Sequence, residues 1–265
     1  MTSRILSIAG SDPSGGAGIQ ADLKAFAARG TYGMAVLTAL TAQNTRGVFG
    51  VQLVPAAFVA DQLRSVLDDI RVDAIKIGMI GNAVIAEAIA DVLAGRQHIP
   101  IVLDPVMVAK GGAALLEADA VEVVRTRLLP LAALITPNLP EAAALLHRPE
   151  AKDRPEMARQ ADALRRVGPE AVLVKGGHLE SAESPDVLVD PSGMTWFEAR
   201  RVHTPNTHGT GCTLSAAIAA EMGKGAGVVE AVRVAKHYLA TAIERSQELK
   251  VGSGHGPVHH FHEHW

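Results

Sequence analysis

Short, largely unbroken apolar runs alternate along this chain with longer runs in which apolar residues return every three or four positions. Ile5–Ala9, Ala74–Ile77, Ile101–Leu103, Ala133–Ile135 and Ala171–Val174 are runs of the first kind. They read as strands covered on both faces. Tyr32–Leu40 reads as one further extended segment. Helical periodicity marks Ala17–Arg29, Ala56–Asp69, Ala83–Leu93, Asp119–Leu129, Glu141–Leu146, Glu156–Val167, Cys212–Met222 and Val228–Leu249. Pro55 suits a first helical turn, and Pro130 stops the helix before it. Val187–Val189 and Thr195–Arg200 flank Pro191-Ser192-Gly193, which predicts a hairpin.

Strands alternating with helices predict an α/β fold whose mostly parallel sheet carries helices on both faces. There is no Pro- or Ser-rich linker and no internal repeat, so residues 1–265 are expected to form a single domain. In such folds ligands bind beyond the carboxyl ends of the strands. The polar residues there are Ser11-Asp12, Gln43-Asn44, Asp104, Asn138, Glu141, Lys175 and the Gly209–Cys212 turn. Taken singly, each suits an ordinary cap or turn. Collected at strand ends, they read as a site.

Composition narrows the class. Apolar residues make up 48% of 265 and charged residues 20%, enough for a substantial core and unlike a disordered chain. A net charge of −3 gives no electrostatic footprint for nucleic acid or an anionic membrane. Met1–Leu6 lacks a signal-peptide layout, and no run is long enough to span a bilayer. Cys212 is the sole cysteine, so no internal disulfide can form, and a cytoplasmic location is expected.

The most informative segment is His208-Gly209-Thr210-Gly211-Cys212, which opens a helix of small residues with one apolar face. Free amides at a helix start attract phosphate, and the glycines let it approach the main chain. A thiol in that turn is expected to have a lowered pKa. Gly10-Ser11-Asp12-Pro13-Ser14-Gly15-Gly16-Ala17-Gly18 follows the first strand, but no Gly-Lys-Ser/Thr closes it as in a P-loop. Its partial match to a dinucleotide fingerprint fails as well. No acid occurs between Leu23 and Ala60 to bind a ribose. Asp22, in the helix behind this loop, is placed to reach a ligand. Asn138 and Glu141 suit either a capping box or oxygen support for Mg²⁺. Lys175, before Gly176-Gly177, suits a phosphate contact, and Gln43 offers the donor and acceptor that an aminated ring needs. The histidine-rich end, His255–Trp265, matches no zinc spacing and reads as a structural or partly exposed tail.

Gly10–Lys24, Ala42–Gly47, Lys76–Met79, Leu103–Val106, Thr136–Ala142, Val174–His178 and Thr207–Ser215 together resemble the hydroxymethylpyrimidine/phosphomethylpyrimidine kinases of thiamine biosynthesis. Gly256–His262 resembles the ending of that family. The resemblance covers essentially the whole chain. It implies a ribokinase-like fold, a three-layer α/β/α sandwich, with ATP and Mg²⁺ as cofactors and a homodimer as the assembly. It also implies two successive phosphorylations of 4-amino-5-hydroxymethyl-2-methylpyrimidine. By analogy, Gln43 would pair with the ring, Asp22 and Gly10 would help hold it, and Met79 and Val106 would line its pocket. Lys175, Asp104 and Asn138 would meet ATP, and Glu141 with Asn138 the metal. Gly209, Thr210 and Gly211 would hold the transferring phosphoryl, and Cys212 would be the base, where most ribokinase-like enzymes carry aspartate. The cysteine branch also includes pyridoxal kinases, so pyridoxal or pyridoxine is the alternative substrate. A non-catalytic pyrimidine-binding protein is the alternative from another class.

Overall fold

The computed structural model describes residues 1–108, 116–179 and 183–265. The strands are β1 (Arg4–Ala9), β2 (Tyr32–Leu37), β3 (Ala39–Asn44), β4 (Gly47–Leu53), β5 (Ala74–Ile77), β6 (Ile101–Leu103), β7 (Leu134–Ile135), β8 (Ala171–Lys175), β9 (Asp186–Asp190) and β10 (Gly193–Phe197). The helices are α1 (Gly18–Ala28), α2 (Ala56–Asp69), α3 (Ala83–Leu93), α4 (Ala118–Val123), α5 (Leu139–Leu146), α6 (Arg154–Arg165), α7 (Thr210–Gly223) and α8 (Val228–Glu244).

Among the described residues the main sheet runs β10-β9-β8-β7-β6-β5-β1-β2. The strands from β8 to β2 are parallel, whereas β9 and β10 return antiparallel at one edge. Alternation along each strand builds two cores. Leu6 and Ile8 of β1, with Ile75 and Ile77 of β5, pack with residues of α2, α3, α5 and α6. Ile5 and Ala74 join Phe26 of α1 and the buried faces of α7 and α8 on the other side. The result is the three-layer α/β/α sandwich, with the sheet in the middle. No helix among the described residues is long and apolar enough to cross a membrane.

Some elements depart from the sequence reading. Tyr32–Leu40 is not one strand. It breaks at Thr38, whose hydroxyl donates to the Met79 carbonyl at 2.7 Å, and the chain leaves the main sheet as the hairpin β3–β4. Helix α8 stops at Glu244 and only a short 3₁₀ turn follows, at Ser246–Glu248. The segment after Val123 widens into a π turn over Val124–Leu128 rather than continuing α4. Helix α7 is buried all round from Thr213 to Glu221, not on one face. It is wedged between the sheet, α1 and α8, which is why its residues are small.

The sheet order reverses at β1: its sequence successor β2 pairs on one side and β5 on the other. This is the switch point where such sheets open a crevice.

Candidate active site

Two helix starts converge on Cys212. Gly209 caps α7 in the left-handed region, at φ 76°, and a Cβ there would meet the Gly16 carbonyl oxygen at 1.8 Å. The position therefore admits glycine alone, both for its dihedral and for the loop packed against it. Helices α3, α5 and α6 are capped by Asn82, Asn138 and Asp153. Helices α1 and α7, like α2, α4 and α8, have no side-chain cap. The Gly18 amide, first in α1, donates to the Cys212 sulfur. The first-turn amides of α7 stay available for an anion, with the helix dipole behind them.

Beneath this turn lie two ion pairs. Lys76 sits on β5 and alternates to the same face as Ala74, toward α1 and α7. Its Nζ donates to both oxygens of Asp22 at 2.9 and 2.8 Å, and both side chains are fully buried. Asp22 also accepts from the Ser7 hydroxyl at 2.6 Å. This corrects the expectation that Asp22 reaches a ligand: its oxygens are enclosed and already engaged. Burial pushes the Asp22 carboxyl up, against the pull of Lys76, and Asp22 holds the Lys76 ammonium above its usual range. The second pair joins Lys175 at the end of β8 to Asp104 after β6, at 2.8 Å. Thr136 donates to the same Asp104 oxygen at 3.0 Å.

Gly211 closes over that second pair. A Cβ on it would lie 3.3 Å from Lys175 Nζ and 3.4 Å from Asp104 Oδ2. Lys175 and Asp104 therefore stand directly under the first turn of α7. Burial works against the Lys175 charge, but Asp104 and Glu141 outweigh it and raise the ammonium to about 12.

Asn138 and Glu141 form a full capping box at the start of α5, with bonds of 2.9 and 2.8 Å. The spacing had left capping and metal support open, and the capping role is filled. Burial and Asp104 push the Glu141 carboxyl up to about 7, against Lys175. A buried carboxylate beside a carboxamide supplies hard oxygen donors of the kind a divalent cation takes.

Cys212 reverses one expectation. Its thiol is pushed up to about 11, not lowered. Burial dominates, and Asp22 and Asp104 add to it, whereas Lys76 and the Gly18 amide oppose it. The helix start alone would stabilise a thiolate. Desolvation of the half-buried thiol, with the two carboxylates, outweighs it.

On the crevice side, Gly10, Met79 and Ala39 meet: a Cβ on Gly10 would lie 2.9 Å from the Met79 sulfur. Val106 is half-buried after β6. Gln43, half-buried on β3, places its amide 3.4 Å from the His208 ring. His208 in turn is 2.7 Å from Asp12. Sequence reasoning counted Asp12 among the polar residues of the site without a partner, and assigned no role to Lys76 or to the His208 side chain. A lysine inside a short apolar strand was the available signal, since a buried cation requires a partner.

The histidine-rich end is a strap. The Thr45 carbonyl accepts from the His255 amide at 2.8 Å, and the Gly256 carbonyl from the His208 amide at 3.1 Å. His260 Nε2 then lies 3.0 Å from Thr213 of α7. The segment thus ties the β3–β4 hairpin to the Cys212 turn.

The family described as phosphomethylpyrimidine kinase matches residues 12–259. The hydroxymethylpyrimidine/phosphomethylpyrimidine kinase of Salmonella typhimurium is 56% identical over 261 residues, covering 98% of each chain.

The chain belongs to the phosphomethylpyrimidine kinase family.

Solved structures give the same fold. The phosphomethylpyrimidine kinase of Clostridium difficile matches with a TM-score of 0.81 and 41% identity, over 91% of this chain and 100% of that one. The pyridoxal kinase of Bacillus subtilis, in complex with ADP, matches with a TM-score of 0.89 and 37% identity, over 98% of each chain. Within this ribokinase-like fold the kinase family has the higher sequence identity on the pyrimidine side.

Proposed function

We propose that this protein is the ATP-dependent kinase that phosphorylates 4-amino-5-hydroxymethyl-2-methylpyrimidine and then its monophosphate, in thiamine biosynthesis. The whole chain acts as one kinase domain in the cytoplasm. The observation that supports this reading is the nearness of three parts: an uncapped α7 start, the Lys175–Asp104 pair beneath it, and Gln43 beside His208, the residue that precedes the Gly209–Cys212 turn.

The ring lies over Gly10, Met79 and Val106, with its aminated edge on Gln43. The β- and γ-phosphates of ATP lie along the α7 amides and Lys175, which neutralise charge as it shifts to the leaving ADP. Glu141 and Asn138 would hold Mg²⁺, which when bound screens the phosphate oxygens. The substrate hydroxymethyl oxygen bonds to the γ-phosphorus as the bond to ADP breaks. Cys212 takes the hydroxyl proton. Lys76 supports that step by stabilising the thiolate, although it touches no substrate. The hairpin leaves Leu40, Phe49 and Val51 exposed, and we assign the hairpin to a homodimer contact.

Pyridoxal kinase is the second reading, because pyridoxal kinases share this fold closely. Steady-state kinetics with both alcohols separates the two. The pyrimidine alcohol is expected to give the larger kcat/KM; a larger value for pyridoxal reverses the assignment.

A further inference from the structure

The pyrimidine side of the crevice is one bonded unit. The Ser11 amide donates to the Ala39 carbonyl at 2.9 Å. Thr41 of β3 donates twice to Ser11, from its hydroxyl to the carbonyl at 2.9 Å and from its amide to the hydroxyl at 3.2 Å. The Gly10–Gly18 loop is therefore joined to the hairpin that carries Gln43. The phosphoryl side is a second unit, the α7 start above the Lys175–Asp104 pair. Transfer needs an acceptor oxygen placed by the first unit in line with a phosphorus held by the second.

Asp12 joins the two. Its carboxylate accepts from the amides of Ser14, Gly16 and Ala17 at 2.9, 3.1 and 2.8 Å, and from the Ser14 hydroxyl at 2.7 Å, so the loop is wound around it. One further bond leaves the loop: His208 Nε2 lies 2.7 Å from Asp12 Oδ2. Asp12 is 1% exposed and ionised at neutral pH. Burial pushes the carboxyl up, and the bonds from His208, Ser14 and Ala17 outweigh this and hold it at about 2. An ionised carboxylate can only accept, so His208 Nε2 carries a proton and donates it to Asp12. Such charge-assisted bonds are the stronger kind.

His208 immediately precedes Gly209, the cap of α7. The two units also touch there through glycines. A Cβ on Gly16 would lie 2.4 Å from the His208 ring, and one on Gly209 would lie 1.8 Å from the Gly16 carbonyl oxygen. Glycines allow this approach, but they leave the backbone free to shift, so close contact alone does not fix the register. The Asp12–His208 bond supplies the constraint.

We propose that Asp12 and His208 are positioning residues whose bond staples the pyrimidine-side loop to the α7 turn, so that the γ-phosphoryl passes to the alcohol rather than to water. The bond to ADP breaks in either case. The new bond forms to the alcohol oxygen or to a water oxygen, which then gives up its proton. The staple acts by alignment, not by contact with the reacting atoms. This inference rests on the kinase reading of the site.

The test is the partition of labelled γ-phosphate between pyrimidine phosphates and inorganic phosphate at saturating alcohol. A ratio within one preparation cancels any inactive fraction. His208→Phe keeps a ring against Gly16 but removes the N–H, and is expected to lower the ratio of transfer to hydrolysis about tenfold to a hundredfold. His208→Ala adds no bulk that could disturb folding, and carries the same expectation. His208→Gln can again donate an N–H toward Asp12, and is expected to recover most of the ratio. A merely structural role would lower transfer and hydrolysis together and leave their ratio at the parent value. An unchanged ratio in His208→Phe and His208→Ala overturns the staple while leaving the kinase assignment standing. A ratio in His208→Gln no better than in His208→Phe does the same. A parent enzyme that passes no phosphate to the alcohol overturns the assignment and the staple together.

Discussion

A Lys76→Met variant is expected to unfold roughly 6–20 °C below the parent protein. Removing the ammonium leaves Asp22 fully buried with Ser7 as its remaining partner. Breaking a buried pair on one side costs about 3–5 kcal/mol. For a chain of this size each kcal/mol moves the midpoint by about 2–4 °C. Coulomb attraction alone does not decide the sign, since desolvating both charges offsets much of it. The penalty comes from the orphaned carboxylate. Adding Asp22→Asn removes that charge, so the double variant is expected to recover most of the lost stability. Turnover is expected to fall in Lys76→Met, because Lys76 is the leading influence that favours the Cys212 thiolate, and to recover in part in the double variant, because Asp22 opposes that thiolate. Calorimetry and initial rates on the three proteins separate these effects. An unchanged midpoint in Lys76→Met contradicts the pair as a determinant of stability. Parent-level turnover in Lys76→Met contradicts its electrostatic role.

Cys212→Ser is expected to lower kcat by on the order of 10²–10⁴-fold, the usual worth of a positioned base. The α7 amides and Lys175 remain, so the KM for ATP is expected to stay near the parent value. The pH profile carries the sharper signature. A base works in its deprotonated form, and the Cys212 thiol is raised to about 11. The active fraction of the free enzyme therefore grows with pH, and kcat/KM of the parent is expected to climb between pH 7 and pH 9. The serine variant should lose that slope. A parent profile that is flat across this range removes Cys212 as the proton acceptor.

The outline of the fold was written in the apolar runs. Strands β1, β5, β6, β7 and β8 lie where those runs lie, because each is covered on both faces and tolerates little else. The hairpin β3–β4 was not legible. Most of its residues are exposed or half-buried, so no alternation survives for a pattern to reveal. The chemistry split the same way. Gly209–Cys212, Lys175, Asp104 and Gln43 stood out because they follow strands or open helices. The partnership of Lys76 with Asp22 spans 54 positions and depends on which face of β5 turns toward α1, a matter of packing. The direction of the Cys212 shift was misread for a related reason. A helix start is visible in sequence, but the desolvation that outweighs it belongs to tertiary structure.

Counting ADP against a limiting amount of pyrimidine alcohol, with ATP and Mg²⁺ in excess, tests the kinase assignment directly. Two ADP per pyrimidine, with the diphosphate recovered as product, is the expected result. One ADP with the monophosphate as end product, or no pyrimidine-dependent ADP at all, contradicts it.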